Sequence, residues 1–389
     1  MSTTEIHYFA LLRSALWEVS AIIEGPIDWD GVMQIAKHHG NQVLIGGVAS
    51  QMTGDKRPSE AMLGKMQTAM RNNLLIQMRL KQILSSALAL LRQHNIEPVS
   101  LKGFSLAMLY PNPNLRQFGD IDIYVGLGDF HEACNLLRTL PGGYNWGDEV
   151  DAGHHYNIEF GNYPLEIHRV SADVVDPSEA EVYAAIEHDG LYDHTQRIDC
   201  EGLEITIPSK EFMVFYTFFH AWEHFLTSGV GWRQISDVAM TLHVYNGQLD
   251  LNKLRQWLTT MHLMHPWQAF GYLMVEQLGL PETEMPFYNT KCRRTAQRLY
   301  RNVMEMGNFS RNSRFKQRRP KNKLLRKIHA FLGIFVDFFY RVRVFPSVAF
   351  REMMVSLRLG WAKNSKNKGF WNDDGKSLFL SNEINFKKK

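Results

Sequence analysis

The chain has 389 residues, of which 45% are hydrophobic and 21% charged, and its formal net charge at pH 7 is +3. This composition is typical of a globular protein with a large core and excludes a disordered or fibrous chain. The three cysteines, Cys134, Cys200 and Cys292, lie far apart without a CxxC pair. That spacing argues against a zinc knuckle or a disulfide framework and favours a reducing compartment.

The N-terminal sequence MSTTEIHYFALLRS lacks the basic start and the long apolar core of a signal peptide. No window approaches the run of about eighteen uncharged apolar residues that a membrane span needs. We therefore expect a cytoplasmic protein, with a peripheral position at a membrane as a further hypothesis for its C-terminal part.

The charge is unevenly distributed along the chain. From Ser310 to Lys389 there are 20 Lys and Arg against 5 Asp and Glu, whereas the preceding 309 residues hold 23 against 35. Such a split predicts a tail with its own partner and a boundary near Phe309.

The hydrophobic pattern predicts an α+β fold in four regions. Apolar residues at helical spacing indicate a helical N-terminal region over 1–95, in which Asp28 or Asp30 caps a helix that ends at Gly40. A long helix from Ser59 to His94 carries a Met and Leu stripe, which is typical of a packing face. A small mixed α/β core over 96–208, a helical region over 209–309 and the tail over 310–389 follow.

The core begins with two strands that carry the most informative residues. A strand at Val99–Leu101 leads through Lys102–Ser105 into a short helix to Leu109, and a second strand runs from Ile121 to Val125. Asp120 and Asp122 lie on one face of this second strand, since side chains alternate with a period of two. Two such carboxylates repel each other unless a cation lies between them, so the pair indicates a divalent metal. The alternative is a turn residue followed by a solvated strand residue.

A third acidic residue follows on a predicted hairpin. A helix over Leu127–Leu140 precedes two arms, His154–Phe160 and Pro164–Val170, that flank a turn with glycine. On the second arm Glu166 and His168 share a face, so Glu166 could pair beside Asp120 and Asp122. Residues 173–203 show no clear pattern, and 205–208 are predicted to form a short edge strand.

A helix predicted from Ser209 carries His220 and His224 one turn apart. A HxxxH pair can be half of a zinc site, but the protease form needs Glu directly after the first His, and Ala221 stands there. Histidines packed among aromatic residues near a site are the preferred interpretation. On the next helix Arg233 and Asp237 are spaced for an i,i+4 ion pair.

The segment LKGFSLAMLYPNPNLRQFGDIDIYV, with PLEIHRV and FFHAWEHF downstream in that order, resembles the uncharacterised nucleotidyltransferase family of the DNA polymerase β-like superfamily. The resemblance runs from the N-terminus to about residue 270. It implies a nucleotidyltransferase-type sheet, a phosphate-binding turn at Gly103 and Ser105, and two divalent cations held by Asp120, Asp122 and Glu166. The superfamily has Ser directly after the Gly, whereas Phe104 intervenes here.

The residues are consistent with that reaction. Two Mg²⁺ or Mn²⁺ ions could activate the attacking oxygen and stabilise the leaving one as a nucleoside triphosphate loses pyrophosphate. Glu166 is also a candidate base, and amides of the turn suit the triphosphate. Lys102 and Arg116 are the nearest cations for phosphate, with plain surface charge as the alternative. His168 is expected to orient Glu166 or contact the acceptor, or simply to lie on the strand surface. His220, His224 and Arg233 are further candidates for the second shell or acceptor.

Two questions stay open at this level. The chain is either an active enzyme with an unidentified acceptor or a catalytically silent, regulatory or toxin-like nucleotide-binding protein. The basic run from Arg311, followed by an aromatic segment, predicts contact with an anionic membrane surface, with RNA, or with the protein's own body as a packing arm.

Overall fold

The computed structural model describes residues 1–144, 155–172, 174, 177–308, 320, 322–351, 353 and 354. These residues form an α+β fold, as predicted, with a six-stranded mixed sheet flanked by helices. One principal core takes in buried residues from Tyr8 to Phe345, so the helical regions pack directly on the sheet. The domain boundaries near 95, 208 and 309 stay a prediction.

The N-terminal region is helical, and its helix ends follow capping chemistry. Its helices are α1 (Thr3–Trp17), α2 (Trp29–His39), α3 (Gln42–Ala49) and α4 (Glu60–Gln93). The Asp28 carboxylate accepts the Gly31 N–H at the start of α2, and Gly40 ends that helix with φ 75°. Ser59 caps α4 by accepting the Met62 N–H. The predicted helix limits here are confirmed.

The Met and Leu stripe of α4 is a packing face except at two positions in its middle. The buried positions include Met66 in the first half and Leu80, Ile83, Leu84, Leu88 and Leu91 in the second. Leu74 and Met78 are 41% and 54% exposed, so the prediction is wrong at these two residues. The reason is that Asn73 and Gln77 take the buried face and donate to backbone carbonyls of residues 113–116.

α4 is also long and apolar enough, by length and composition alone, to cross a membrane. This corrects the expectation that no window approaches a span. Only 39% of its most apolar window is buried inside the protein, but that window includes the core positions of the second half. The helix therefore has the place of a core helix in this fold.

The sheet is built from strands of two to six residues. They are β1 (Val99–Ser100), β2 (Ile121–Tyr124), β3 (His155–Phe160), β4 (Tyr163–His168), β5 (Gln196–Asp199) and β6 (Glu204–Ile207). Their order is β3-β4-β2-β1-β6-β5. β2 pairs with β4 in parallel, as β1 does with β6, and the remaining pairs are antiparallel. The hairpin of β3 and β4 was predicted, and its register sets the site described below.

The prediction of an edge strand over 205–208 is wrong. β6 lies between β1 and β5, and β5 forms the edge. β5 has the sequence QRID, which has no run of β-branched or aromatic residues, so only its pairing with β6 makes it a strand.

The remaining helices cover the sheet and build the C-terminal half. They are α5 (Phe104–Ala107), α6 (Gly126–Leu137), α7 (Pro177–His188), α8 (Lys210–Thr227), α9 (Trp232–Val244), α10 (Leu251–Thr260), α11 (Met264–Glu276), α12 (Arg293–Met306) and α13 (Lys323–Val342). Ser209 caps α8 by accepting the Phe212 N–H, as its sequence predicted. Most of the basic run, 310–319 and 321, and residues 355–389 lie outside the described residues.

A buried histidine makes the fold sensitive to acid. Burial, with a smaller contribution from His38, lowers the pKa of His39 to about 3. In the unfolded chain His39 takes up a proton near pH 6.5, whereas in the folded chain it stays neutral down to about pH 3. The stabilisation from a neutral His39 is therefore complete above about pH 6.5 and is lost as the pH falls below it. We expect His39→Leu to reduce the slope of unfolding free energy against pH, between pH 6 and 4, by about 1.4 kcal/mol per pH unit.

Urea denaturation at several pH values measures this slope. The exposed His131→Leu serves as the matched control. An unchanged slope in His39→Leu would contradict the assignment of a neutral, buried His39.

Candidate active site

The chain passes from β1 into α5 through a turn that favours glycine. Gly103 has φ 75° and ψ −107°, and a Cβ there would lie 3.4 Å from the carbonyl oxygen of Asp120. α5 spans four residues and is shorter than the helix predicted to Leu109. A helix this short has a small dipole, so an anion at the turn would be bound mainly by backbone amides. Ser105 is fully buried, and its hydroxyl has no hydrogen-bond partner among the described residues.

The three predicted carboxylates meet where β2 and β4 lie side by side. The parallel register places Asp122 opposite Glu166. Ligand atoms of Asp122, Glu166 and His168 all lie within 4.8 Å of one another. Asp120 joins them through Lys102, whose Nζ is 3.6 Å from Asp120 Oδ2 and 3.1 Å from Asp122 Oδ1. The structure therefore brings together the acidic residues of two distant segments.

Two cationic side chains balance this cluster. Burial alone would lower the pKa of Lys102, but the charges of Asp122, Asp120 and Glu166 outweigh it and raise that pKa. The Nε2 of His168 lies 3.1 Å from Asp122 Oδ1 and 3.5 Å from Glu166 Oε2. Burial lowers the pKa of His168, and these carboxylates reverse the effect and raise it to about 9. Lys102 and His168 thus act as counter-ions at the point where cations were predicted.

The same contacts keep Glu166 ionised. Burial would raise the pKa of Glu166, but His168 and Lys102 lower it to about 2. A carboxylate with so low a pKa is a weak proton acceptor and a good ligand for a cation. These contacts favour Glu166 as a ligand for a cation, and its role as a base stays a prediction.

The donor set fits a divalent cation. Asp122 is fully buried, and its Oδ2 has no hydrogen-bond partner among the described residues, although an unpaired buried carboxylate oxygen is costly. Carboxylate oxygens are ligands that suit both Mg²⁺ and Mn²⁺. A group of metal-ligating side chains also occurs at Asp189, Asp193 and His194, where two of the three side chains are exposed.

Arg116, the second candidate for a phosphate contact, is not the surface charge that was the alternative interpretation. It is buried, and its guanidinium donates two hydrogen bonds to Asp237, at 2.6 and 2.9 Å, and a third to the Gly103 carbonyl at 3.1 Å. Tyr110 donates to the same Asp237. Arg116 therefore supports the glycine turn through the Gly103 carbonyl, and its contact with phosphate stays a prediction.

The predicted i,i+4 ion pair on α9 is wrong. Arg233 donates to the Gln117 carbonyl at 2.7 Å, while Asp237 is taken by Arg116. Asp237 pairs with Arg116 and not with its neighbour on the helix, because the buried bidentate pair satisfies more hydrogen-bond donors than an i,i+4 pair would. Arg233 thus holds the segment that leads into β2.

His220 and His224 lie against each other on α8, with their Nε2 atoms 3.1 Å apart. Burial, and then the charge of Lys102, lowers the pKa of both rings, that of His224 to about 3. Both rings are therefore neutral, and they lie close enough to Lys102 for its charge to lower their pKa. Among the described residues neither ring belongs to a group of three metal-ligating side chains, so the structure offers no zinc site there.

Two residues near the cluster were missed by the sequence analysis. His155 pairs with His168 across β3 and β4, with ring centroids 5.1 Å apart. Counting back from the Gly161 turn would have found it, because the turn fixes the hairpin register. The charges of Asp122 and Glu166 help raise the pKa of the buried Tyr216, after burial itself. Tyr216 comes from α8, and nothing local in the sequence marks it.

A carboxylate pair at the start of one strand, a third carboxylate on its parallel neighbour and an adjacent glycine turn form the arrangement that the family resemblance led us to expect. The sequence profile of a family described as uncharacterised nucleotidyltransferase matches residues 25–279. The chain belongs to this family, and the resemblance noted from the motifs is confirmed.

The other comparisons are more distant. A crystal structure of an antigenic nucleotidyltransferase-like protein from Paracoccidioides brasiliensis is similar over 55% of this chain and 94% of that chain, at 14% identity and a TM-score of 0.34. No curated protein matches the chain. The family profile therefore carries the identification.

The buried Arg116 and Asp237 pair gives a direct test of how the turn is held. We expect Asp237→Asn to lower the free energy of unfolding by about 3 kcal/mol, because it leaves a buried guanidinium without its counter-ion. The double variant Arg116→Met/Asp237→Leu should recover part of that loss. Urea denaturation measures both.

Glu204→Gln breaks the exposed pair with Arg197 and is the matched control, with an expected loss below about 1 kcal/mol. An Asp237→Asn variant as stable as this control would show that the pair does not hold the turn.

Proposed function

We propose that this protein is a metal-dependent nucleotidyltransferase that moves a nucleoside monophosphate group from a nucleoside triphosphate to an acceptor and releases pyrophosphate. The observation that carries the proposal is the convergence of Asp120, Asp122 and Glu166 on one face of the sheet, with a buried Asp122 oxygen that lacks a partner among the described residues. Family membership supports the reaction class.

Asp120, Asp122 and Glu166 would hold the divalent ions, for which two Mg²⁺ or Mn²⁺ are the hypothesis. Bound there, such ions supply positive charge for the phosphate oxygens and lower the pKa of the attacking hydroxyl. The acceptor oxygen forms a bond to the α-phosphorus, the bond between that phosphorus and the bridging oxygen breaks, and pyrophosphate leaves. The acceptor proton passes to solvent or to a basic group of the acceptor site.

Lys102 is well placed to serve the triphosphate. Its ammonium lies between Asp120 and Asp122, one residue before the Gly103 turn. Cations bound by the aspartates would displace this ammonium by like-charge repulsion, and phosphate oxygens beside the turn are the natural new partner. Lys102 would therefore exchange a carboxylate contact for a phosphate contact as substrate binds.

The acceptor side is assigned to the neutral histidines. His220 and His224 sense the charge of Lys102 from α8, on a helix separate from the glycine turn. Neutral imidazoles can donate to or accept from a hydroxyl without adding charge. His168 would position Glu166, which it contacts directly.

One observation favours the second candidate, a silent or regulatory nucleotide-binding protein. Lys102 and His168 contact the Asp122 carboxylate and balance part of the charge of the cluster. A protein that kept these counter-ions in place would bind nucleotide through the turn without transferring it. Release of pyrophosphate by the protein separates the two candidates.

The central test is loss of transfer on neutralising each carboxylate. With each labelled nucleoside triphosphate, Mg²⁺ or Mn²⁺ and cell extract as the source of acceptor, we expect pyrophosphate release to fall at least about a thousandfold in Asp120→Asn, Asp122→Asn and Glu166→Gln. The reason is that each substitution removes a ligand charge from the metal cluster. Asp129→Asn, an exposed position on α6, is the control.

Nucleotide binding without pyrophosphate release in the unmodified protein, with every base and both metals, would support the silent candidate. Release that survives in Asp122→Asn would overturn the site assignment itself.

Removing the Lys102 charge should separate metal binding from nucleotide binding. We expect Lys102→Met to bind Mn²⁺ more tightly than the unmodified protein when nucleotide is absent, since its carboxylates lose an internal competitor. The same variant should raise the KM for the triphosphate by about tenfold or more, because a phosphate contact is lost.

Titration calorimetry with Mn²⁺ and steady-state kinetics measure the two effects. Weaker Mn²⁺ binding together with an unchanged KM would show that Lys102 is a structural counter-ion only.

A further inference from the structure

We propose that α13 is a surface for docking on an anionic lipid bilayer. The inference concerns a part of the chain remote in sequence from the carboxylate cluster, and it does not rest on the proposed transfer activity. It begins from three exposed apolar side chains on α13, Leu325, Leu332 and Phe339, called here the outer stripe. They are 53%, 47% and 59% exposed.

The outer stripe forms one line along the helix. Its members are spaced seven residues apart, and at 100° per residue each lies only about 20° from the last. From Leu325 to Phe339 the line is about 21 Å long at 1.5 Å per residue. A stripe of this kind is the apolar side of a helix that lies in the plane of a membrane interface.

The segment after α13 fixes the helix to the body of the protein. Val344 and Phe345 are buried, and the Phe345 ring contacts Trp222 and Phe225 of α8 in edge-to-face geometry. Arg351 pairs with Glu179 of α7 at 2.6 Å. Beyond this attachment Phe350 and Met354 are again about half exposed, which extends the apolar surface.

The charge of the neighbouring sequence selects the partner. Between Arg311 and Lys327 the sequence contains nine Lys and Arg and no Asp or Glu. A basic segment next to an amphipathic helix attracts anionic lipid. The charge and the outer stripe together match a surface with anionic head groups above an apolar layer.

An anionic bilayer explains both features, whereas RNA explains only one. Phosphates of RNA would be drawn to the basic run, but leucine side chains gain little from contact with a nucleic acid. α13 also contains Asp337 and spans 20 residues, four of them Lys or Arg, so it fits a helix lying on a membrane better than one crossing it.

Flotation of the full-length protein with lipid vesicles tests the proposal. We expect it to float with vesicles of phosphatidylcholine mixed with phosphatidylglycerol, to bind much less to phosphatidylcholine alone, and to weaken as salt rises. The double variant Leu332→Glu/Phe339→Glu should lower the vesicle-bound to free ratio at least about tenfold, since two apolar contacts are replaced by charges that anionic lipid repels.

Leu74→Glu/Leu75→Glu is the matched control, because these are exposed leucines on α4, and it should float like the unmodified protein. Circular dichroism and the urea midpoint establish that both variants are folded. The proposal is overturned if the unmodified protein does not float with anionic vesicles, or if the stripe variant floats as well as the control.

Two further outcomes would also overturn it. One is salt-sensitive binding of labelled RNA that vesicles do not compete for and that the stripe variant leaves unchanged. The other is a dimer in sedimentation that the stripe variant converts to a monomer, since a second copy of the chain would then cover the outer stripe.

Discussion

Buried negative charge on two adjacent parallel strands is the constraint around which this structure is arranged. At an effective dielectric constant of about 20, two like charges some 5 Å apart repel each other by about 3 to 4 kcal/mol. Asp122 is fully buried opposite Glu166, so the fold must supply positive charge at this position. In the chain alone, Lys102 and His168 supply it. The proposed metal ions would take over this balancing role from the two side chains.

The parts of the molecule that surround the cluster are linked to it by hydrogen bonds. Asp237 on α9 holds Arg116, and Arg116 holds the carbonyl of Gly103 in the turn beside Asp120. Arg233 on the same helix holds the Gln117 carbonyl just before β2. The helical C-terminal half is thus a support for the glycine turn and for the strand that bears the aspartates. Its helices act on the site by positioning backbone.

The chain divides its charges between two tasks. The region that builds the sheet and the surrounding helices is acidic overall, and the sequence from Ser310 onward is strongly basic. An acidic body would disfavour an approach of anionic surfaces near the carboxylates, whereas the basic end attracts them. The proposed lipid contact lies on an element that is separate in sequence from the carboxylate cluster. α8 links the two regions, because its Trp222 contacts Phe345 after α13 and its Tyr216 is subject to the charges of Asp122 and Glu166.

The sequence by itself determined the helices with clear periodicity and caps, and the hairpin. It also indicated that Asp120, Asp122 and Glu166 are the acidic residues that come together. These signals are local or follow from the alternation of side chains along a strand. Tertiary structure alone decided that Arg116 pairs with Asp237, that β6 is interior, and that His155 and Tyr216 lie near the cluster. The physical reason is competition. A buried charged side chain pairs with the partner that satisfies most of its hydrogen bonds. A segment with low strand propensity becomes a strand where it can pair with the edge of a sheet. Neither outcome can be predicted from the spacing of neighbouring residues in the sequence.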